Sequence, residues 1–252
     1  MLASSLLAYL QGRAIGVDTD VDAPDLKVWL PPSESQRLKE LRLGRRAAVK
    51  KLPSEKPAAV DKCPHGALSW NGRLVYKPYL CEGCGLCALL NPEIFEMRAV
   101  KNGEIWRHTH GRIIFYEGRL MPGFTGSGKI VEAVLNEVPG DKPWVIDGAP
   151  GTGCPVNAAL RYVDKVILVM EESLSGLADM RRVQKVVEHF KKPYAIVVNK
   201  HGLNPSVEVK ALARIPYDQC VRAALEKRRT VYEFCPEVIR PALSAIRDWL
   251  GW

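Results

Sequence analysis

Short apolar runs alternate with helical stretches along much of the chain. The runs "RAIGVDTD" (13–20), "KPWVIDGAPGTG" (142–153), "KVILVMEE" (165–172) and "YAIVVNK" (194–200) are short and continuously apolar, as buried strands are. The stretch "SGLADMRRVQKVVEHFKK" between the last two runs has the periodicity of a helix. Strands that alternate with helices predict an α/β fold with a mostly parallel, doubly wound sheet, whose ligands bind at the carboxyl ends of the strands.

Two further segments are predicted from their patterns. The C-terminal "EVIRPALSAIRDWLGW" places Ile239, Leu243 and Ile246 on one helical face, which favours packing in the core over a membrane-surface helix. His108 and His110 in "WRHTHGR" have a spacing that metal ligands use, but no acid lies nearby in the sequence, and we interpret them as strand residues.

Four of the seven cysteines have the spacing of iron–sulfur ligands. Cys81, Cys84 and Cys87 form C-x-x-C-x-x-C, and Cys63 is followed by proline, as the last cysteine of a bacterial ferredoxin run is. In two-cluster ferredoxins the fourth cysteine of each run ligates the other cluster. Cys63 therefore joins the other three as one complete ligand set, and the sequence predicts a [4Fe–4S] site on these residues.

The second ligand set is missing as a whole. Its positions would be 53, 56, 59 and 91, which hold Pro53, Lys56, Ala59 and Asn91. Because one set is complete and the other has no cysteine, we expect one intact cluster site and one that has been lost. A zinc site with four cysteine ligands is the alternative, although zinc more often uses two separated C-x-x-C pairs.

The other cysteines lack a ligand spacing. We expect Cys220 and Cys235 to be core residues and Cys154 to pack in a loop or in the core. A disulfide framework is not expected, because metal-ligand cysteines indicate a reducing compartment. A cytoplasmic location is therefore predicted, and no segment has the roughly 20 apolar residues that a membrane span requires.

The composition describes an ordinary globular protein with a modest basic excess. Of the 252 residues, 47% are hydrophobic and 25% charged, and the formal net charge is +8. No nucleic-acid-binding motif accompanies this charge, so nucleic acid is not an expected partner. The densest basic run, residues 37–51, has seven Lys or Arg against Glu40. We interpret it as a solvated helix face or linker, or as a docking surface for an acidic redox partner.

Acidic and amide residues follow the predicted strands. Asp18 and Asp20 end the first, Asp147 and Gly148 the second, and Asn199 and Lys200 the last. Carboxylates after strands hold Mg²⁺ and orient water in P-loop enzymes. A helix cap or a turn explains each aspartate equally well when it is taken singly.

Together these segments resemble the MinD/ParA family of P-loop ATPases, in particular members that carry an inserted ferredoxin domain. "VDTDVDAPDL" resembles switch I, "WVIDGAPGTGCPV" the Walker B strand and switch II, and "VVNK" the base-recognition segment. The resemblance implies that Asp20 and Asp147 act on Mg²⁺ and water. It also implies that Asp18, Gly148 and Asn199 bind the nucleotide cofactor, and that the protein is a homodimer.

The front of this family pattern is missing. The family begins with a strand and a loop of the form K-G-G-x-G-K-[ST], which cradles the phosphates. Here "MLASSLLAYLQ" resembles the helix that follows that loop. Either the loop is encoded upstream of Met1, which we favour because loss of a central strand exposes apolar edges, or ATP chemistry has been lost. "GFTGSGKI" (123–130) matches a phosphate loop except at Ile130, and we interpret it as a helix start.

The expected organisation is an incomplete ATPase domain, residues 1–52 and 98–252, with a ferredoxin-like module at 53–97. The expected function couples nucleotide state to electron transfer or cluster delivery. ATP and Mg²⁺ are expected as cofactors only if the phosphate loop is supplied upstream. The partner is a redox or iron–sulfur protein. The alternatives are a non-enzymatic electron carrier and a scaffold with a structural cluster.

Overall fold

The computed structural model describes residues 1–203 and 207–252. These residues form two compact units. The sheet unit comprises residues 1–38, 105–119 and 127–252, and the cysteine unit comprises residues 39–104 and 120–126. The predicted ferredoxin-like module, residues 53–97, lies inside the cysteine unit, and its bounds stay a prediction.

The described strands and helices have the following bounds. The strands are β1 Ile15–Asp18, β2 Glu34–Leu41, β3 Gly44–Val49, β4 Leu68–Trp70, β5 Leu74–Tyr76, β6 Phe95–Val100, β7 Gly103–His110, β8 Ile113–Leu120, β9 Trp144–Asp147, β10 Val166–Glu171, β11 Tyr194–His201 and β12 Ala213–Pro216. The helices are α1 Leu2–Leu10, α2 Leu26–Trp29, α3 Ala58–Lys62, α4 Leu86–Leu90, α5 Ser127–Leu135, α6 Cys154–Leu160, α7 Leu174–His189, α8 Gln219–Glu226, α9 Val231–Phe234 and α10 Pro236–Leu250, with a 3-10 helix at Pro78–Leu80.

The strands form two larger sheets, and the first of them is mixed. Its order is β2-β7-β8-β1-β9, with β1 parallel to both β8 and β9. The second sheet, β10-β11-β12, is parallel. The predicted α/β fold is confirmed, but its sheet is mixed and not purely parallel. Strands β7 and β8 are neighbours joined by residues 111 and 112 alone, which is too short for the crossover that a parallel pair needs.

One apolar core serves both larger sheets. Phe115 of β8 and Val145 of β9 belong to the same buried cluster as Val197 of β11. Helices α1 and α10 cover this core, and the predicted core residues Ile239, Leu243 and Ile246 of α10 are fully buried. That prediction is confirmed. In the part of the chain that the structure describes, β9 and β10 are each an edge strand of their sheet.

Gly16 in the middle of β1 allows α1 to pack closely. A Cβ atom at this position would lie 2.7 Å from Leu7 Cδ1 and 2.8 Å from Phe115 Cβ. Real side chains do not approach so closely, so glycine is required between helix α1 and strand β8.

The cysteine unit is built from small antiparallel sheets. β3 pairs with β6, and β4 with β5, around a core of Ala59, Leu68, Ile94 and Phe95. The prediction that residues 37–51 form a helix face or linker is wrong, since β2 and β3 occupy this run. Nearly every residue of β2 is exposed, so neither face of this strand needs apolar side chains. The sequence therefore lacks the apolar–polar alternation that indicates a strand.

The cysteines outside the cysteine unit behave differently from one another. Cys220 on α8 and Cys235, which precedes α10, form a disulfide with a Cα–Cα distance of 6.5 Å. Both pack in the core cluster as predicted, but the expectation that they are not bonded is wrong. Their separation of 15 residues carries no recognisable motif. Cys154 is free and exposed as the first residue of α6, so the prediction that it packs in a loop or in the core is wrong.

Among the described helices, none combines the length and the apolar character that crossing a bilayer demands.

Candidate functional site: the thiol cavity and the strand-end carboxylates

Four cysteine side chains from two separate segments line a single cavity in the cysteine unit. Cys63 comes from the first segment, and Cys81, Cys84 and Cys87 come from the second. Ala47, Leu68 and Met97 add apolar surface, and Tyr76 and His65 also line the cavity. All four thiols are free. The structure thus brings together the complete ligand set that the spacing predicts.

Local backbone structure places each thiol. Cys63 ends α3, Cys81 ends the 3-10 helix, and Cys87 lies in the first turn of α4. The loop between Cys81 and Cys87 turns at Gly83 and Gly85, which have φ angles of 71° and 81°. Only glycine adopts this left-handed region without strain, so these two residues let the loop curl around the cavity.

The Cys81 sulfur has a specific polar environment. The backbone N–H of Ala47 donates a hydrogen bond to Cys81 Sγ at 3.4 Å. Burial, together with the neighbouring Cys81 and Cys84 thiols, raises the pKa of the Cys87 thiol. An electropositive metal centre reverses such a shift, because coordination favours the thiolate form.

The positions of the missing ligand set also meet. The N–H of Ala59 donates to Asn91 Oδ1 at 3.1 Å. Ala59 is buried in the apolar core with Ile94 and Phe95. Two positions that would share a second cluster in a ferredoxin are thus in contact here through an amide side chain, beside packed apolar residues.

Within residues 1–203 and 207–252, no group of three or more His, Cys, Asp or Glu side chains has the geometry to hold a single metal ion. His108 and His110 lie in β7, which confirms the prediction that they are strand residues. His108 accepts or donates a hydrogen bond with Ser35 at 2.8 Å and stacks on Phe115.

Three carboxylates stand in register across adjacent parallel strands of the sheet unit. Asp18 on β1 pairs with Glu117 on β8 and with Asp147 on β9. The Asp18 carboxylate accepts hydrogen bonds from the N–H groups of Leu26, at 2.9 Å, and Asp20, at 3.2 Å. All three lie toward the carboxyl ends of their strands, where ligands of parallel sheets bind.

Burial controls the protonation of these acids. Desolvation, with Asp147 and Glu117 nearby, raises the pKa of Asp18 to about 8. Desolvation also raises the pKa of Asp147, with further contributions from Asp25 and Asp20. The pKa of Asp20 is raised as well, chiefly by burial. Closely spaced acids with raised pKa values are typical of sites that bind a cation.

Glu117 is the acid that the sequence analysis did not single out. It is fully buried, and Lys27 Nζ lies 2.9 Å from one carboxylate oxygen while Arg119 Nε donates to the other at 2.8 Å. Hydrogen bonds from His108, Lys27 and Arg119 outweigh burial and lower the pKa of Glu117 to about 2. The sequence signal for this site was the single glutamate within the apolar run "RIIFYEGRL". A glutamate in a buried strand indicates a buried charge, and a buried charge needs oppositely charged partners.

Of the other predicted nucleotide residues, Gly148 adjoins Asp147, whereas Asn199 lies on the second sheet. Gly148 is exposed directly after β9. Asn199 pairs with Glu171 on the separate β10-β11-β12 sheet, and its neighbour Lys200 forms an ion pair with Glu171. No hydrogen bond described in the structure joins Asn199 to Asp18, Asp20 or Asp147. In "GFTGSGKI", α5 begins at Ser127, which confirms the predicted helix start. Ile130 is fully buried in this helix.

Comparison with solved structures defines the class of fold. The chain is similar to the cell division ATPase MinD of Pyrococcus furiosus, with a TM-score of 0.56, 12% identity, and coverage of 98% of this chain and 94% of that one. It is also similar to MinD of Pyrococcus horikoshii, solved with Mg-ADP, with a TM-score of 0.53, 13% identity, and coverage of 93% and 81%. The chain has the fold of the MinD/ParA ATPases.

Comparison with curated sequences defines the family. The chain is 30% identical to uncharacterized protein MJ0578 of Methanocaldococcus jannaschii over 208 residues, 81% of this chain and 74% of that protein. It belongs to the family of MJ0578. MJ0579 of the same organism is 28% identical over 198 residues, 75% of this chain and 70% of that protein. The uncharacterized ATP-binding protein MJ0169 is 25% identical over 155 residues, 56% and 59% of the two chains. No family model matches the chain.

Proposed function

We propose that this chain is an iron–sulfur protein of MinD/ParA fold that holds one [4Fe–4S] cluster on Cys63, Cys81, Cys84 and Cys87. The observation that carries the proposal is the single cavity lined by four free thiols from two segments of the chain. Four cysteine thiolates are the usual ligand set of a [4Fe–4S] cluster, and C-x-x-C-x-x-C supplies three of them in ferredoxins.

The residues around the thiols fit this group. The Ala47 N–H already donates to Cys81 Sγ, and hydrogen bonds of this kind tune cluster potentials. Ala47, Leu68 and Met97 restrict water, while Cys84 is exposed and gives the cavity a side open to solvent. The bound cluster would supply one-electron redox chemistry.

The cysteine unit suits an acidic redox or iron–sulfur partner. Residues 39–104 and 120–126 contain 12 Lys and Arg against 7 Asp and Glu, a net charge of +5. Tyr79 and Leu89, which flank the cysteine loop, are 67% and 77% exposed and offer apolar contact. Charge complementarity of this type accelerates partner encounter and weakens with salt.

Protein purified without oxygen is expected to contain about four iron atoms and about four acid-labile sulfides per chain. Cys63→Ser should lose most of this iron, because serine is a poor ligand for the soft cluster irons. The matched control is Cys154→Ser, since Cys154 is also free and exposed but lies in the sheet unit. Iron analysis and electron paramagnetic resonance measure the result. Iron-free wild-type protein, or one zinc in its place, would overturn the proposal.

The proposed nucleotide function requires a further strand and phosphate loop. Strands β9 and β10 are consecutive in the chain, and among the described strands each lies at the edge of its sheet. The two sheets share one apolar core. An added parallel strand fits these two edges, and the loop after it would face Asp18 and Asp147. Under this proposal Asp20 and Asp147 act on Mg²⁺ and water, while Asp18, Gly148 and Asn199 contact the nucleotide or its metal.

A chain extended at Met1 by a strand and a K-G-G-x-G-K-[ST] loop is expected to bind Mg-ATP, and the 252-residue chain to bind it at least tenfold more weakly. The reason is that the loop's amides and lysine supply the phosphate contacts. Calorimetry measures both chains, and replacement of the loop lysine with alanine is the control. If the extended chain folds without binding ATP, the protein does not couple nucleotide state to electron transfer or cluster delivery, and its function is that of an electron carrier or a scaffold. Reversible cycling of the cluster then distinguishes a carrier from a scaffold.

A further inference from the structure

Among the described residues that line the thiol cavity, Tyr76 is the one aromatic side chain with a hydroxyl. It ends strand β5, and its ring packs against the core formed by Leu68, Phe95 and their neighbours. Its Oη atom is buried and has no hydrogen-bond partner that meets normal geometry among the described residues. Buried hydroxyl groups are nearly always paired, so this atom lacks a partner that the fold normally provides.

Cys81 lines the same cavity as Tyr76 and follows it closely in the chain, at the end of the 3-10 helix. A phenol keeps its proton at neutral pH. A protonated phenol can donate one hydrogen bond, and a thiolate sulfur can accept several. Cys81 already accepts one from the Ala47 N–H at 3.4 Å.

We propose that Tyr76 is a positioning residue that donates its hydroxyl hydrogen to the Cys81 thiolate and thereby raises the reduction potential of the site. This inference rests on the proposed [4Fe–4S] function. Reduction adds negative charge to the cluster and its thiolates, so a donor to Cys81 stabilises the reduced state more than the oxidised one. Cys81 would then accept hydrogen bonds from two donors, the Ala47 N–H and the Tyr76 hydroxyl.

Tyr76→Phe removes only the hydroxyl and keeps the ring in its apolar contacts. We expect the variant to retain its iron and sulfide content and to show a reduction potential shifted to more negative values. The control is Tyr79→Phe, because Tyr79 lies in the 3-10 helix before Cys81 but is 67% exposed and does not line the cavity. Its potential should equal that of the wild type. Redox titration followed by electron paramagnetic resonance measures all three proteins.

A measurement on the wild-type protein adds a second test that no variant can disturb by misfolding. Electron–nuclear double resonance of the reduced cluster should show two hydrogens that exchange in D₂O and couple to the cluster through Cys81, one from the Ala47 N–H and one from the Tyr76 hydroxyl. Both signals should persist in Tyr79→Phe, and the second should be absent from Tyr76→Phe. An unchanged potential in iron-replete Tyr76→Phe, or only one such exchangeable hydrogen in the wild type, overturns the role of Tyr76 and leaves the cluster in place. Absence of iron from all three proteins overturns both proposals.

Discussion

Gly83→Ala is expected to remove most of the iron from the protein while leaving the sheet unit folded. A Cβ atom at position 83 would overlap the backbone carbonyl oxygen of Arg45 on β3, and the φ angle of 71° disfavours any side chain. The loop that holds Cys81 and Cys84 would therefore have to leave β3. That movement breaks the hydrogen bond from Ala47 to Cys81 Sγ and separates the thiols.

Gly85→Ala separates the two causes of this loss. Gly85 has a φ angle of 81°, yet a Cβ atom there meets no atom within 4 Å. This variant suffers only the strain of the left-handed backbone, about 1 kcal/mol. It should keep most of its iron, as iron and sulfide analysis of the anaerobic protein can show. Equal iron content in the two variants would mean that contact with Arg45 does not position the cysteine loop.

Glu117→Gln is expected to lower the free energy of unfolding by about 2 kcal/mol, because it removes the fully buried carboxylate that pairs with Lys27 and Arg119, while these two side chains are 31% and 39% exposed and keep part of their hydration. For a chain of this size the midpoint of thermal unfolding should fall by roughly 4 to 8 °C. The pKa of Glu117 is lowered from its ordinary value of 4.5 to about 2. Its carboxylate therefore gives its full stabilisation at pH values above 4.5, and this stabilisation is lost as the pH falls from there through about 2. The penalty should be slightly smaller at pH 8 than at pH 6, because Asp18 ionises near pH 8 and the variant lacks the Glu117 charge that repels it.

Glu132→Gln is the matched control for Glu117. Glu132 pairs with Arg161 at 2.9 Å, but both side chains are well exposed. Exposed pairs contribute little, so this variant should change the unfolding free energy by no more than about 0.5 kcal/mol. Calorimetric unfolding of both variants gives the comparison. A small effect of Glu117→Gln would show that water reaches the Lys27 and Arg119 charges after the substitution.

The parts of the fold that were predictable are those in which the local pattern and the final packing agree. Strands β1, β9, β10 and β11 lie where continuous apolar runs ended in acids or amides, and α7 lies where the helical period was clear. Each of these elements is buried on the side that its own sequence makes apolar. Their carboxyl ends carry Asp18, Asp147 and Asn199 as expected.

The parts that were missed depend on partners distant in the chain. β2 and β3 are strands because β7 and β6 pair with them, although the basic run from 37 to 51 has no apolar alternation of its own. The mixed first sheet follows from the short β7–β8 connection. Similarly, Cys220 and Cys235 meet only because α8 and α10 pack on the same core.

The four cysteines of the thiol cavity were predictable, but the residues around them were not. The spacing of Cys63 and of Cys81 to Cys87 resembles that of ferredoxin ligands, whereas Ala47 and Tyr76 reach the cavity only through the pairing of β3 with β6 and β4 with β5. The residues that would tune a cluster therefore follow from tertiary structure.

The bond between Cys220 and Cys235 gives this protein two opposed requirements for its surroundings. The loop that the bond closes spans 15 residues, a length for which a crosslink stabilises a fold by about 3 kcal/mol in the chain-entropy model. Thiol reductants that protect Cys63, Cys81, Cys84 and Cys87 from oxidation also cleave this bond. Air keeps the bond between Cys220 and Cys235 intact but oxidises the free thiols of the cysteine unit. Conditions that best preserve one of these two sites therefore damage the other.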